Sequence, residues 1–178
     1  MCMFRDLRAD EIECRVAQAN EYGVNLLLYK DARCDQNILD ETVGEFGWQR
    51  NHTRDNANCI VSIWDEKKQQ WISKEDTGTE SNTEKEKGLA SDSFKRACFN
   101  WGIGRELYTS PIIKIPPNGC SALKQYGDKW KCFDRFVVEK IVIENKRIVA
   151  LSILNGAGMR CFIWQDEAWK KRKAEANG

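Results

Sequence analysis

Gly88-Leu89-Ala90-Ser91-Asp92-Ser93-Phe94-Lys95-Arg96-Ala97-Cys98-Phe99-Asn100-Trp101-Gly102-Ile103-Gly104 is the stretch on which the fold turns. Ala90, Phe94, Ala97, Cys98 and Trp101 recur at i, i+4, i+7, i+8 and i+11, the stripe of a helix that faces a core. The spacing predicts a helix from about Glu84 to Trp101, stopped at Gly102-Ile103-Gly104. Immediately upstream, residues 48–54, 57–65 and 70–77 read as three antiparallel strands. Asp55-Asn56 makes the first turn and Asp65-Glu66-Lys67-Lys68-Gln69 the second. Strands grouped together and then followed by a helix define an α+β chain.

Further out the signals are shorter. Asp10 can cap a helix running to about Tyr22, with Glu13 at capping-box distance and Gly23 as the stop. Val24 to Lys30 is a strand candidate, closed by a turn at Asp31-Ala32-Arg33. Ile38, Leu39, Val43 and Phe46 place a short helix over 36–46, ended by Gly47. Residues 78–84 carry no apolar side chain and read as a mobile loop. Beyond the central helix, Pro111, Pro116 and Pro117 mark an extended passage, and 118–131 reads as loop. Residues 133–143 and 147–154 form a C-terminal β-hairpin about Glu144-Asn145-Lys146. Lys170-Lys171-Arg172-Lys173 ends the chain as a basic helical tail.

At 178 residues the chain reads as one domain, 1–178, with one sizeable core. No apolar run approaches the ~20 residues of a membrane span, and the first residues lack the apolar stretch of a secretory signal. A cytoplasmic protein is expected. The eight cysteines are spread evenly with no C-x-x-C pair, and His52 is the single histidine. That spacing argues against zinc and for reduced thiols, most of them in apolar runs. No cofactor is expected. The formal net charge is +1, so any nucleic-acid affinity must come from clustered rather than total charge.

Several chemistries have no motif here. There is no G-x-x-x-x-G-K-[ST] loop for an ATP-driven motor and no G-x-G-x-x-G after a strand. His52, in a polar strand among Asn51, Thr53 and Arg54, reads as an exposed residue rather than a catalytic base. Glu66 and Lys68 form the Glu-x-Lys of metal-dependent nucleases, yet they fall at a hairpin tip, where a solvated turn is more economical. On the central helix, with Phe94 as zero and ~100° per residue, the apolar stripe lies within about 60° of it. Lys95, Phe99 and Arg96 then fall at roughly 100°, 140° and 200°, on one flank away from the core. Two cations around an aromatic ring suit a nucleic-acid strand, phosphate on cation and base on ring. A solvated Lys-Arg pair, with Phe99 in a subunit contact, accounts for the same positions.

The run from Gly88 to Tyr108 resembles the core helix of the Rad-fifty-two-like superfamily of single-strand annealing proteins, above all the phage-encoded members. Their helix carries a similar Asp-x-x-Lys-Arg-Ala run ending in an aromatic residue and glycine. Ile12-Glu13-Cys14-Arg15-Val16, Leu28-Tyr29 and Phe46-Gly47-Trp48 occur in the family's order, so the likeness covers about 8–115. The resemblance implies an antiparallel β-β-β-α core with an N-terminal helix, assembled into rings or filaments that carry single-stranded DNA in an outer positive groove. By position, Lys95 and Arg96 match groove cations, Arg15 a neighbouring arginine and Tyr29 a groove tyrosine. Lys67 and Lys68 match a secondary DNA site. Eukaryotic members often place a basic residue where this chain has Phe99, which implies stacking there instead. The segment of about 118–178 is an appendage outside the likeness.

The expected protein is therefore an ATP-independent, non-catalytic annealing protein of recombination and repair. It would be a homo-oligomer in the cytoplasm of a bacterial host if phage-encoded, with an exonuclease or a single-strand-binding protein as further partners. Its rivals are a metal-dependent nuclease using Glu66 and Lys68, and a structural oligomer such as a virion or scaffold component.

Overall fold

The computed structural model describes residues 4–79 and 85–176. Cys2 and most of the expected 78–84 loop lie outside them. The described residues form an α+β fold with antiparallel strand pairing throughout. Among them, no helix is long and apolar enough to cross a membrane. The chain divides into two compact units that alternate along the sequence, residues 1–6 with 31–105, and 7–30 with 106–178.

The first unit holds the segment that decided the fold. Strands β3 (Trp48–Thr53), β4 (Asn58–Asp65) and β5 (Gln70–Thr77) form one sheet in that order. Helix α2 (Lys85–Asn100) packs on β4 and β5, and α1 (Ala32–Val43) packs beside α2. The three strands and the helix fall where alternation and stripe placed them. Cys59, Val61 and Ile63 alternate along β4 as fully buried residues and meet buried Phe94, Ala97 and Cys98 of α2. At the end of α2 the amide of Ile103 donates to the carbonyl of Cys98 and that of Gly102 to Phe99, a Schellman closure. Gly102 sits at φ 96°, a left-handed position at which a side chain would be strained. Helix α1 begins four residues earlier than its apolar spacing indicated, because Asp31 accepts a hydrogen bond from the Arg33 amide as its N-cap.

The second unit is built on a six-stranded sheet. With β1 (Glu13–Asn20), β2 (Gly23–Tyr29), β6 (Ile113–Ile115), β9 (Val137–Glu144), β10 (Arg147–Leu154) and β11 (Arg160–Gln165), its order is β11-β10-β9-β1-β2-β6. The C-terminal hairpin is β9–β10, turned at Asn145 and Lys146, both at positive φ. A separate hairpin, β7 (Leu123–Tyr126) and β8 (Lys129–Cys132), replaces the loop expected over 118–131. Helix α3 (Glu167–Ala176) carries the basic tail.

The expected N-terminal helix is a strand. Residues 13–20 pair antiparallel with β2, and Asp10 belongs to a single 3-10 turn over Ala9–Glu11. Cys14 and Val16 point inward while Glu13, Arg15 and Ala17 are exposed, a period of two that a helical spacing of the same residues mimics over so short a stretch. Gly23 ends a hairpin turn, not a helix. It has φ 115°, and a Cβ there would lie 1.9 Å from the Ile115 carbonyl oxygen, so only glycine fits between β2 and β6.

Candidate nucleic-acid interface

The candidate interface in the first unit is the outward flank of α2. Phe94 anchors that helix. It has no exposed surface, stacks on Trp48 at 6.0 Å between ring centres, and lies under the Arg50 guanidinium at 5.0 Å. With Phe94 fixed inward, the helical period sends Lys95, Arg96 and Phe99 to the other side. Lys95 and Phe99 are half-buried and Arg96 is exposed, as the projection of the helix predicts.

Each member of this flank has an intramolecular neighbour that the sequence did not show. Arg96 Nε lies 3.5 Å from Asp76 Oδ1 on β5. Lys95 acts on Asp31, whose carboxyl is held below the usual range by hydrogen bonds from Arg33 first, and by the Lys95 charge as a lesser cause. The Arg105 guanidinium lies 5.5 Å from the Phe99 ring centre and donates to the carbonyls of Phe99 and Asn100 at 2.8 and 2.9 Å. Lys74 Nζ donates to the same Asn100 carbonyl at 2.8 Å and sits 4.4 Å over the Trp101 ring. Two cations thus close on the negative C-terminal end of α2. Arg50 and Lys74 stand on the two outer strands of the sheet under α2. They pair with Val61 from either side, so one cation on each outer strand flanks the central apolar column under α2.

Lys67 and Lys68 occupy the β4–β5 tip. Asp65 accepts from the amides of both, and Glu66 accepts from the Gln69 side chain. Both lysines line a cleft of about 550 Å³ with Trp64, Ile72, Lys74 and Trp101, an apolar floor whose rim carries the Asp65 and Glu66 carboxylates as well as the amines. The structure therefore connects the tip lysines to the C-terminal end of α2 through Lys74 and Trp101.

Arg15 and Tyr29 belong to the second unit, on β1 and β2. The strand assignment brings them together: the Arg15 guanidinium lies 4.6 Å over the Tyr29 ring and also pairs with Glu13 at 3.1 Å. A cation stacked on an exposed tyrosine presents the same chemistry as Lys95, Arg96 and Phe99.

His52 is half-buried rather than exposed, and faces Cys59 across the β3–β4 ladder. Burial pushes the Cys59 thiol up to about 11, and burial, then the Arg50 charge, lowers His52. Both shifts favour the neutral forms, the reverse of the thiolate–imidazolium pair a cysteine nucleophile uses. No family model, no curated protein and no solved structure matches the chain.

Proposed function

We propose that the protein binds single-stranded DNA and anneals complementary strands without ATP, acting as a homo-oligomer. The observation that carries this reading is the outward flank of α2, where Lys95, Arg96 and Phe99 stand together on a helix whose other side is locked in the core. Cations that hold phosphates and leave base edges exposed bind without regard to sequence and leave those edges able to pair. Arg15 on Tyr29, and the lysine-rimmed cleft at the β4–β5 tip, add two further cation–aromatic surfaces of the same kind.

A chain of net charge +1 offers too few cations per copy for tight binding, so the groove must be made by repetition around an assembly. Exposed apolar residues support self-association: Leu27, Tyr108 and Ile112 line one cleft in the second unit, with Ile112 80% exposed.

The test joins selectivity to assembly. Mixed-sequence single strands should bind more tightly than the matching duplex, and complementary strands should anneal faster without ATP. Light scattering should give a particle far larger than 20.6 kDa, alone or once DNA is added. A monomer in both conditions, or magnesium-dependent shortening of the strands that Glu66→Ala abolishes, overturns the reading.

A further inference from the structure

The second unit gathers cysteines that the sequence scatters. Cys14 lies on β1, Cys120 follows a 3-10 turn over Pro117–Gly119, Cys132 ends β8 and Cys161 lies on β11. Strand β8 packs on β1, and the 3-10 turn packs on β11. The Sγ atoms of Cys120 and Cys132 and a carboxylate oxygen of Asp134 all lie within 4.8 Å of one another. Cys161 lies beside the turn that carries Cys120: a Cβ on Gly119 would be 3.3 Å from its Cβ.

We propose that Cys120, Cys132 and Asp134, with Cys161 as the fourth donor, form a binding site for a soft divalent transition metal, zinc above others. Tetrahedral zinc, with bonds of ~2.0–2.3 Å, sets its donors just under ~4 Å apart, so Cys120, Cys132 and Asp134 need only a small closure, and Cys161, outside their spacing, would swing in to complete the site. Thiolates select zinc over magnesium or calcium, which take oxygen donors. Asp134 is already oriented. Its carboxylate accepts from the Ser121 hydroxyl and from the amides of Ser121, Ala122 and Gly156. Outer hydrogen bonds of this kind fix the carboxylate ligands of metal sites.

Each thiol makes only a long hydrogen bond to an oxygen acceptor. Cys120 donates to the Pro116 carbonyl at 3.5 Å, Cys132 to Asp134 at 3.9 Å and Cys161 to the Ile153 carbonyl at 3.5 Å. Each cysteine must give up its thiol proton to ligate a metal. Binding releases three protons to solvent as three metal–sulfur bonds and one metal–oxygen bond form. The metal would tie the β7–β8 hairpin to β11 and to the turn before it.

Cobalt(II) is the probe, titrated into the reduced full-length protein after treatment with a chelator and with a phosphine reductant present throughout. The expected result is one equivalent bound, with a sulfur-to-cobalt charge-transfer band, tetrahedral d–d bands, and displacement of both by zinc. Cys120→Ser and Cys132→Ser should each weaken binding by more than the ~10–100-fold that loss of an outer-shell partner costs. Cys34→Ala, in the first unit, should leave the spectrum unchanged. Absence of the sulfur-to-cobalt band in the parent protein overturns the proposal, as does a band undiminished in the serine variants. Should a serine variant fail to fold, cadmium NMR of the parent decides: a chemical shift in the thiolate range supports the site, and one in the oxygen range overturns it.

Discussion

Phe94→Ala should cost the first unit about 3–5 kcal/mol, the range for removing a large aromatic from a closed core. Phe94 is fully buried, and its ring supports both Trp48, stacked at 6.0 Å, and the Arg50 guanidinium. Alanine would leave a cavity beneath the Trp48 ring and the Arg50 guanidinium, in a close-packed interior. Domains are stable by only ~5–15 kcal/mol in all, so the variant would stand near the edge of unfolding. Urea denaturation followed by circular dichroism should show a lower midpoint at unchanged slope. Peptide-resolved hydrogen exchange should locate the lost protection in β3–β5 and α2. A loss under about 1 kcal/mol would mean that Phe94 is not the anchor of α2.

How far the sequence carried the fold follows from how local each signal is. In the β3–β4–β5–α2 segment the alternation of Cys59, Val61 and Ile63 and the stripe from Ala90 to Trp101 run long enough to exclude the other period. Over residues 12–20, Ile12, Val16 and Ala19 fit a helix as well as a strand, and pairing with β2 decides. The β7–β8 hairpin escaped notice because Leu123-Lys124-Gln125-Tyr126 holds no β-branched residue, so the Gly127-Asp128 turn signal stood between weak strand runs.

The candidate interface divides in the same way. Helical geometry fixed the direction of Lys95, Arg96 and Phe99 in advance. Asp76, Lys74 and Arg105 are neighbours made by tertiary packing, which one strand or one helix cannot reveal. The proposed metal site is the extreme case: Cys120, Cys132 with Asp134, and Cys161 come from three separate segments, so no spacing rule within a motif could find it.

Lys95 and Arg96 carry the heaviest functional prediction: each alanine variant should fold and bind single-stranded DNA more weakly, to the same degree for every sequence. Alanine has the highest helix propensity, so α2 itself should be unharmed. The Arg96–Asp76 pair is a half-exposed surface contact worth ~0–1 kcal/mol, and its loss should leave the unit folded. If each cation neutralises one phosphate per protomer, its removal should lower the salt slope of binding by ~0.7 per contact, the value for single strands. Repetition around an assembly multiplies that loss, so the double variant should fail to anneal at physiological salt. Asp76 gives the opposite sign. It competes with phosphate for Arg96, so Asp76→Ala should strengthen binding. Phe99→Ala should cost ~1–3 kcal/mol per stacked base while leaving the salt slope nearly unchanged. The four single variants and the Lys95/Arg96 double variant are compared by salt titration of strand binding, with circular dichroism to confirm folding. Folded Lys95→Ala and Arg96→Ala proteins that bind and anneal like the parent would remove the α2 flank from the interface, and the resemblance of that helix would then extend to fold alone.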